Sequence, residues 1–220
     1  MPIAQLKTSM DSPTVPPPSA PPKKLSKPVA LLVGICGLIV IVGGILQVTK
    51  GIKEMRGAGP SDELNRLMQE VEQAVAVANR TGLEAGPLFQ KLLNDVDGVG
   101  LAKVRKDQKE GAQKIAGLFA TSAEQFHLAA KKSEAAAQME SREKFKPFFT
   151  LKAQAYESYG KARELNQSIV QMVLDESIVQ VDDLVKKATA AGQERDAAET
   201  SAKETEAKAE AVAKEAKAHP

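Results

Sequence analysis

Hydrophobic positions fall into three regimes along this chain. Over 29–48 they run without interruption, VALLVGICGLIVIVGGILQV, with no charged side chain and Gln47 as the one strongly polar residue. A run of that length matches the ~30 Å hydrocarbon core of a bilayer at ~1.5 Å of rise per residue, so it predicts a single transmembrane helix. Over 61–192 the apolar residues recur every three or four positions, the period of amphipathic helices. From 193 to 220 large apolar residues all but vanish, and Ala, Glu, Lys and Thr take over. The expected fold is all-α. It comprises an N-terminal transmembrane helix, an antiparallel helical bundle or long helical hairpin, and a C-terminal tail that is a fraying helix or disordered.

The middle regime divides into four expected helices. Ser61 is a good N-cap, and Asp62 and Glu63 complement the dipole of the first turn. Leu64, Leu67, Met68, Val71, Ala74, Val75 and Ala78 build one face, which Thr81-Gly82 is expected to end. A short helix follows over 87–96, opened by Pro87 and closed by Asp97-Gly98-Val99-Gly100. A long helix is expected over 101–139. Pro147 then calls for a turn between Glu140 and Lys146, and a fourth helix fills 148–190, weakening at Gly192. Phe119, Phe126, Phe145, Phe148, Phe149, Tyr156 and Tyr159 flank that turn. A hairpin would gather them at one end, as the thick part of a core or the wall of a binding pocket. In the last regime Glu210 and Lys214 form a favourable i,i+4 pair, but no apolar face is left to bury.

The flanks of the apolar run refine the membrane reading. Residues 1–28 are rich in proline, including Pro16, Pro17 and Pro18, and read as a disordered, extended tail. Lys23, Lys24 and Lys27 precede the run; Lys50, Lys53 and Arg56 follow it in the linker 49–60. The positive-inside rule therefore ties, and the short tail is assigned to the cytoplasm with the larger C-terminal domain outside. A cleaved signal peptide is disfavoured, because its apolar region spans ~7–15 residues and ends in a small-residue site. Ala30, Gly37, Gly44 and Gly51 recur every seven residues, with Gly34 at the matching offset. Small residues at that spacing let two helices approach closely in lipid, so the stripe is a candidate self-association seam for a homo-oligomer.

Composition narrows the function classes. Aromatic residues make up 4% and Trp is absent, which suits a helical core of Leu, Val, Ile and Ala. The net charge of +2, with acids and bases interspersed, offers no one-sided basic patch for nucleic acid. Cys36, the one cysteine, lies within the apolar run and reads as a small apolar residue. His127 stands alone on its helix and reads as a boundary residue, and His219 is next to last. No H-E-x-x-H, C-x-x-C, phosphate loop or G-x-S-x-G occurs. Asn94-Asp95-Val96-Asp97-Gly98 resembles part of a calcium loop, but aligning Gly98 with the loop glycine puts Leu93 and Val104 at the ligand ends. Asn79-Arg80-Thr81 and Asn166-Gln167-Ser168 are formal glycosylation sequons. The expectation is a non-catalytic scaffold or interaction module at a membrane, without cofactor or metal. Its expected partners are the lipid bilayer, a second copy and a protein not specified by the sequence. The alternative is a membrane sensor whose bundle binds a ligand or partner.

Overall fold

The computed structural model describes residues 62–141 and 143–218. The tail at 1–28, the apolar run at 29–48, the linker at 49–60 and the Ser61 cap lie outside the described residues. Four helices and one short 3-10 turn make up the order α1 (Asp62–Val99), α2 (Leu101–Met139), η1 (Glu143–Phe145), α3 (Lys146–Leu174) and α4 (Val181–Ala218). None of the described helices is both long and apolar enough to cross a membrane.

Each helix packs against the next in sequence, α1 on α2, α2 on α3 and α3 on α4. Two apolar clusters show that the helices alternate in direction. One joins Leu64, Leu67 and Met68 of α1, Ala129 and Ala136 of α2, Phe148 and Phe149 of α3, and Ala209, Ala213 and Ala216 of α4. The other joins Phe89, Leu92 and Leu93 of α1, Leu101, Val104 and Ile115 of α2, Ile169 and Val173 of α3, and Leu184 and Ala188 of α4. The start of α1, the end of α4 and the α2–α3 turn thus share one end of an up-down-up-down bundle. With α1 at 38 residues, the bundle is about 57 Å long at 1.5 Å per residue.

The connections depart from the sequence reading in three places. α1 does not stop at Thr81-Gly82. It continues through Pro87 to Val99, absorbing the separate short helix expected at 87–96. Thr81 Oγ1 donates back to the Val77 carbonyl at 3.0 Å, so it supports the helix. The proline forfeits one helical hydrogen bond. Burial of Ala85, Phe89, Leu92, Leu93 and Val96 offsets that loss, at roughly 1.5–3 kcal/mol for each large side chain.

The turn to α2 is instead made by one residue. Gly100, at φ 87° and ψ 155°, donates to the Val96 carbonyl at 3.0 Å and accepts from the Val104 N–H at 3.1 Å. That region of backbone space is essentially reserved for glycine.

The helix expected over 148–190 is two helices. The chain turns at 175–180 without glycine or proline. Asp175 Oδ1 accepts from the Ser177 N–H at 2.9 Å, and the Ile178 N–H donates to the Asp175 carbonyl at 3.0 Å. Ile178 is buried and plugs that end of the bundle. Finally, Gly192 marks no boundary. α4 runs through it to Ala218, so residues 193–218 belong to the bundle and are not a tail. Their buried stripe, Arg195, Glu199, Ala202, Glu206, Ala209, Ala213 and Ala216, has the alternating four-three spacing of a heptad seam.

Candidate functional site

Three groups of polar side chains bridge neighbouring helices. The first lies along the α3–α4 seam. α4 presents mostly alanine there, so α3 comes close enough for its long polar side chains to reach partners within the bundle. Lys152 Nζ donates to Glu206 Oε1 at 2.7 Å, with side-chain exposures of 2% and 8%. The Tyr159 hydroxyl donates to the other oxygen of Glu206 at 3.2 Å. Arg163 Nη1 donates to Glu199 Oε1 at 3.2 Å. Arg195 donates from Nη1 to Asn166 Oδ1 at 3.5 Å and from Nε to Asp196 at 3.0 Å.

Electrostatics follow from this burial. Burial pushes the Glu199 carboxyl up, against the opposing pull of Arg163 and Arg195. Burial, reinforced by Glu206, holds the Tyr159 and Tyr156 hydroxyls well above their ordinary range, so both stay protonated; Tyr159 donates to Glu206, while the buried Tyr156 hydroxyl has no hydrogen-bond partner among the described residues. A stripe of alanines carries little register information, because a slide by one heptad buries similar surface. Buried charged pairs penalise such slides by leaving a charge without its partner, the best-attested use of polar groups in helix seams.

The second group joins α2 to α3. His127 Nδ1 lies 2.8 Å from Glu157 Oε2, and its Nε2 lies 3.1 Å from Glu164 Oε1. Gly160 sits between the two glutamates on α3. A Cβ at Gly160 would come within 2.7 Å of the His127 ring, so glycine is what lets the imidazole lie against the α3 backbone. His127 is thus the partly exposed boundary residue that the sequence suggests, but it is not isolated: two glutamates of α3 face its ring.

The third group joins α1 to α2. The Ser122 hydroxyl donates to the Ala78 carbonyl at 2.8 Å, and Gly82 faces both Ser122 Oγ and Arg163 Nε at 3.5 Å from its Cβ position.

The aromatic residues divide between the two ends. Phe119 packs edge-on against Phe89 at 5.4 Å in the cluster near Gly100, away from the others with which the sequence groups it. Phe126 stacks on Tyr159 at 5.4 Å and on Tyr156 at 6.5 Å, and Phe148 packs edge-on against Phe149 at 5.2 Å. A cavity of about 10 Å³ lies among Met68, Ser133, Phe148, Lys152 and Tyr156, room for about one water molecule. Small-molecule sites are roughly thirty times larger, about 300 Å³ and upward. The aromatics here fill their space with one another.

Among the described residues, no three His, Cys, Asp or Glu side chains are grouped as metal ligands. Both nitrogens of His127 face carboxylates, and the Ser122 hydroxyl is committed to a backbone carbonyl. What the polar mid-section can do chemically is fix helix register and take up a proton. Asn166 of the second sequon is buried against Arg195, which removes it as a glycan acceptor in the folded bundle. The Asn94–Gly98 segment lies within α1 as continuous helix, not as a calcium loop. The candidate seam of Ala30, Gly34, Gly37, Gly44 and Gly51 lies outside the described residues. The chain matches no protein-family model, no curated protein and no solved structure.

The sequence held a signal for two of these groups. Glu199 and Glu206 are seven residues apart on the alanine stripe, and Glu157, Gly160 and Glu164 share one helical face. Both signals become visible once alanine and glycine count as interior residues.

Proposed function

We propose that this chain is a non-catalytic, single-pass membrane protein whose helical bundle serves as a structural or interaction module beside the bilayer. In this reading 29–48 spans the membrane, the proline-rich tail lies in the cytoplasm, and the bundle stands outside. The observation that carries the reading is the pairing of an uncharged apolar run with a helical bundle whose buried charges pair across its own seam. Lys152 pairs with Glu206 and Arg163 with Glu199 across α3–α4, and the cavity beside Lys152 has room for about one water.

The bundle's direction fits an anchor before α1. The end that would face the membrane carries the α2–α3 turn and the end of α4. The far end carries the Gly100 turn and the 175–180 turn, where Val99 and Val179 are exposed. A partner would meet the charged helix sides or that far end.

The test is a topology map of the full-length chain, with reporters fused after Lys27 and after Pro220. An outside C-terminal reporter and an inside N-terminal one support the reading. The reverse orientation makes the bundle a cytoplasmic scaffold, and two reporters on one side remove the single-pass anchor. A second reading, a sensor whose bundle passes an input to the anchor, draws on one observation, the solvent-accessible His127 held between two carboxylates.

A further inference from the structure

We propose that His127, Gly160, Glu157 and Glu164 form a proton-operated clasp that fastens α2 to α3 when the imidazole carries both protons and releases one side when it loses one. Hydrogen-bond accounting carries this. An ionised carboxylate only accepts, and a neutral imidazole has one N–H. Nδ1 sits 2.8 Å from Glu157 and Nε2 sits 3.1 Å from Glu164, so only the imidazolium donates to both. In the neutral ring one nitrogen lone pair faces a carboxylate oxygen, and that contact turns from attractive to repulsive. The two carboxylates flank opposite edges of the ring, so no single ring nitrogen shares a vertex with both, as a metal site would require.

The fold builds the clasp deliberately. Glu157, Gly160 and Glu164 fall on one face of α3 at i, i+3 and i+7. The missing Cβ at Gly160 seats the ring. The His127 side chain is 25% exposed and its partners 65% and 55%, so protons reach the ring from solvent. These two carboxylates are the charges that act on it. The other charged residues nearby on α2 are Glu124 and Lys131, one turn to either side of His127. On the facing side of α1, Glu70 and Glu84 pair with Lys132 and Lys114 instead.

Burial alone would lower the ring's affinity for a proton. The hydrogen bonds and charges of Glu157 and then Glu164 outweigh it and hold His127 above its ordinary value. A raised histidine stabilises the fold fully below its unfolded value of about 6.5, and that stabilisation is lost as pH rises through the folded value. The clasp has a route onward. His127 adjoins Phe126 and Gly160 adjoins Tyr159, whose rings stack at 5.4 Å, and Tyr159 in turn holds Glu206 of α4. A change in α2–α3 spacing therefore bears directly on the α3–α4 seam.

The test is a magnetic-resonance titration of the full-length protein in detergent micelles. The chain has two histidines, so His219 serves as an internal reference, assigned with His219→Ala. The expected result is a His127 midpoint above that of His219, with both ring nitrogens protonated below it. The Glu157→Gln/Glu164→Gln variant is expected to bring that midpoint down toward His219. Thermal melts at pH 6 and pH 8 give the second readout: the wild type loses more melting temperature between the two than His127→Gln does. A His127 midpoint at or below that of His219, or a pH dependence of melting unchanged in His127→Gln, overturns the proposal. The titration is made on the native chain, so it decides even if a variant does not fold.

Discussion

Replacing Lys152 by methionine removes one charge from a pair sealed inside the α3–α4 seam. Glu206 is then left with 8% of its side chain exposed and with Tyr159 as its remaining hydrogen-bond donor. Breaking a buried pair by removing one partner costs about 3–5 kcal/mol. Here Tyr159 still donates to Glu206, so the lower end, about 3 kcal/mol, is expected. For a domain of this size each kcal/mol lowers the melting temperature by about 2–4 °C, so Lys152→Met should melt about 6–12 °C below the wild type. Lys152→Met/Glu206→Leu removes both charges and refills the volume. It should recover most of the loss, because a well-packed apolar replacement of a buried pair is often neutral or stabilising by about 1–4 kcal/mol.

The assay is the loss of helical circular dichroism on heating full-length protein in one detergent, for the wild type, both single variants and the double. A pH series adds a control of sign. In Lys152→Met the cost is that of an unpaired buried carboxylate, so the deficit should shrink as acid neutralises it. The reasoning is refuted if the single variants melt with the wild type, or if the double variant loses the sum of the two single losses.

Other consequences can be checked the same way. Gly100→Ala meets no steric neighbour at its Cβ position, so any effect is conformational. At φ 87° and ψ 155° a loss of about 1–3 kcal/mol is expected, seen as a lower melting temperature with unchanged helix content. Gly160→Ala places a Cβ within 2.7 Å of the His127 ring, so it should displace the imidazole and abolish the part of the pH dependence of stability that His127→Gln also removes. α4 buries few large apolar side chains beyond Leu184, so its amides over 195–218 should exchange hydrogen for deuterium faster than those of α1 over 64–78; equal protection would contradict this. Ala207→Pro, at an exposed position of α4, should undo protection in that half of α4 while leaving α1 protected.

Much of the bundle was legible in the sequence, and the failures share a cause. α2 and the first turns of α1 carry large apolar residues at helical spacing, and the structure places both where that spacing predicts. Thr81-Gly82 and Pro87 are strong local breakers, yet α1 passes through them, because Phe89, Leu92 and Leu93 bury against α2 and outweigh the lost hydrogen bond. The turn at 175–180 has the opposite character. Nothing in Asp175-Glu176-Ser177-Ile178 is a strong breaker, and the stop comes from one side-chain oxygen capturing a backbone N–H. The acidic pair Asp182-Asp183, matching Asp62-Glu63 at the start of α1, was the available signal of a new helix.

Alanine misled most over 193–218. A segment of Ala, Glu and Lys has no conventional apolar face, but its seam buries Ala202, Ala209 and Ala213 beside Glu199 and Glu206. The cross-helix contacts of Lys152, Arg163 and Arg195 are legible only in three dimensions, because they reach residues 29 to 54 positions away.

The central claim is that a helical bundle is tied to a bilayer by the apolar run at 29–48. Alkaline extraction of membranes carrying the full-length chain tests it most directly, since high pH strips peripheral proteins and leaves spanning helices behind. The account predicts that the intact protein stays in the membrane pellet and that Leu38→Arg/Val42→Arg moves it to the supernatant, because a charge at the centre of a span is costly by about 2.5–3.5 kcal/mol on insertion scales. Release of the wild-type chain into the supernatant would contradict it.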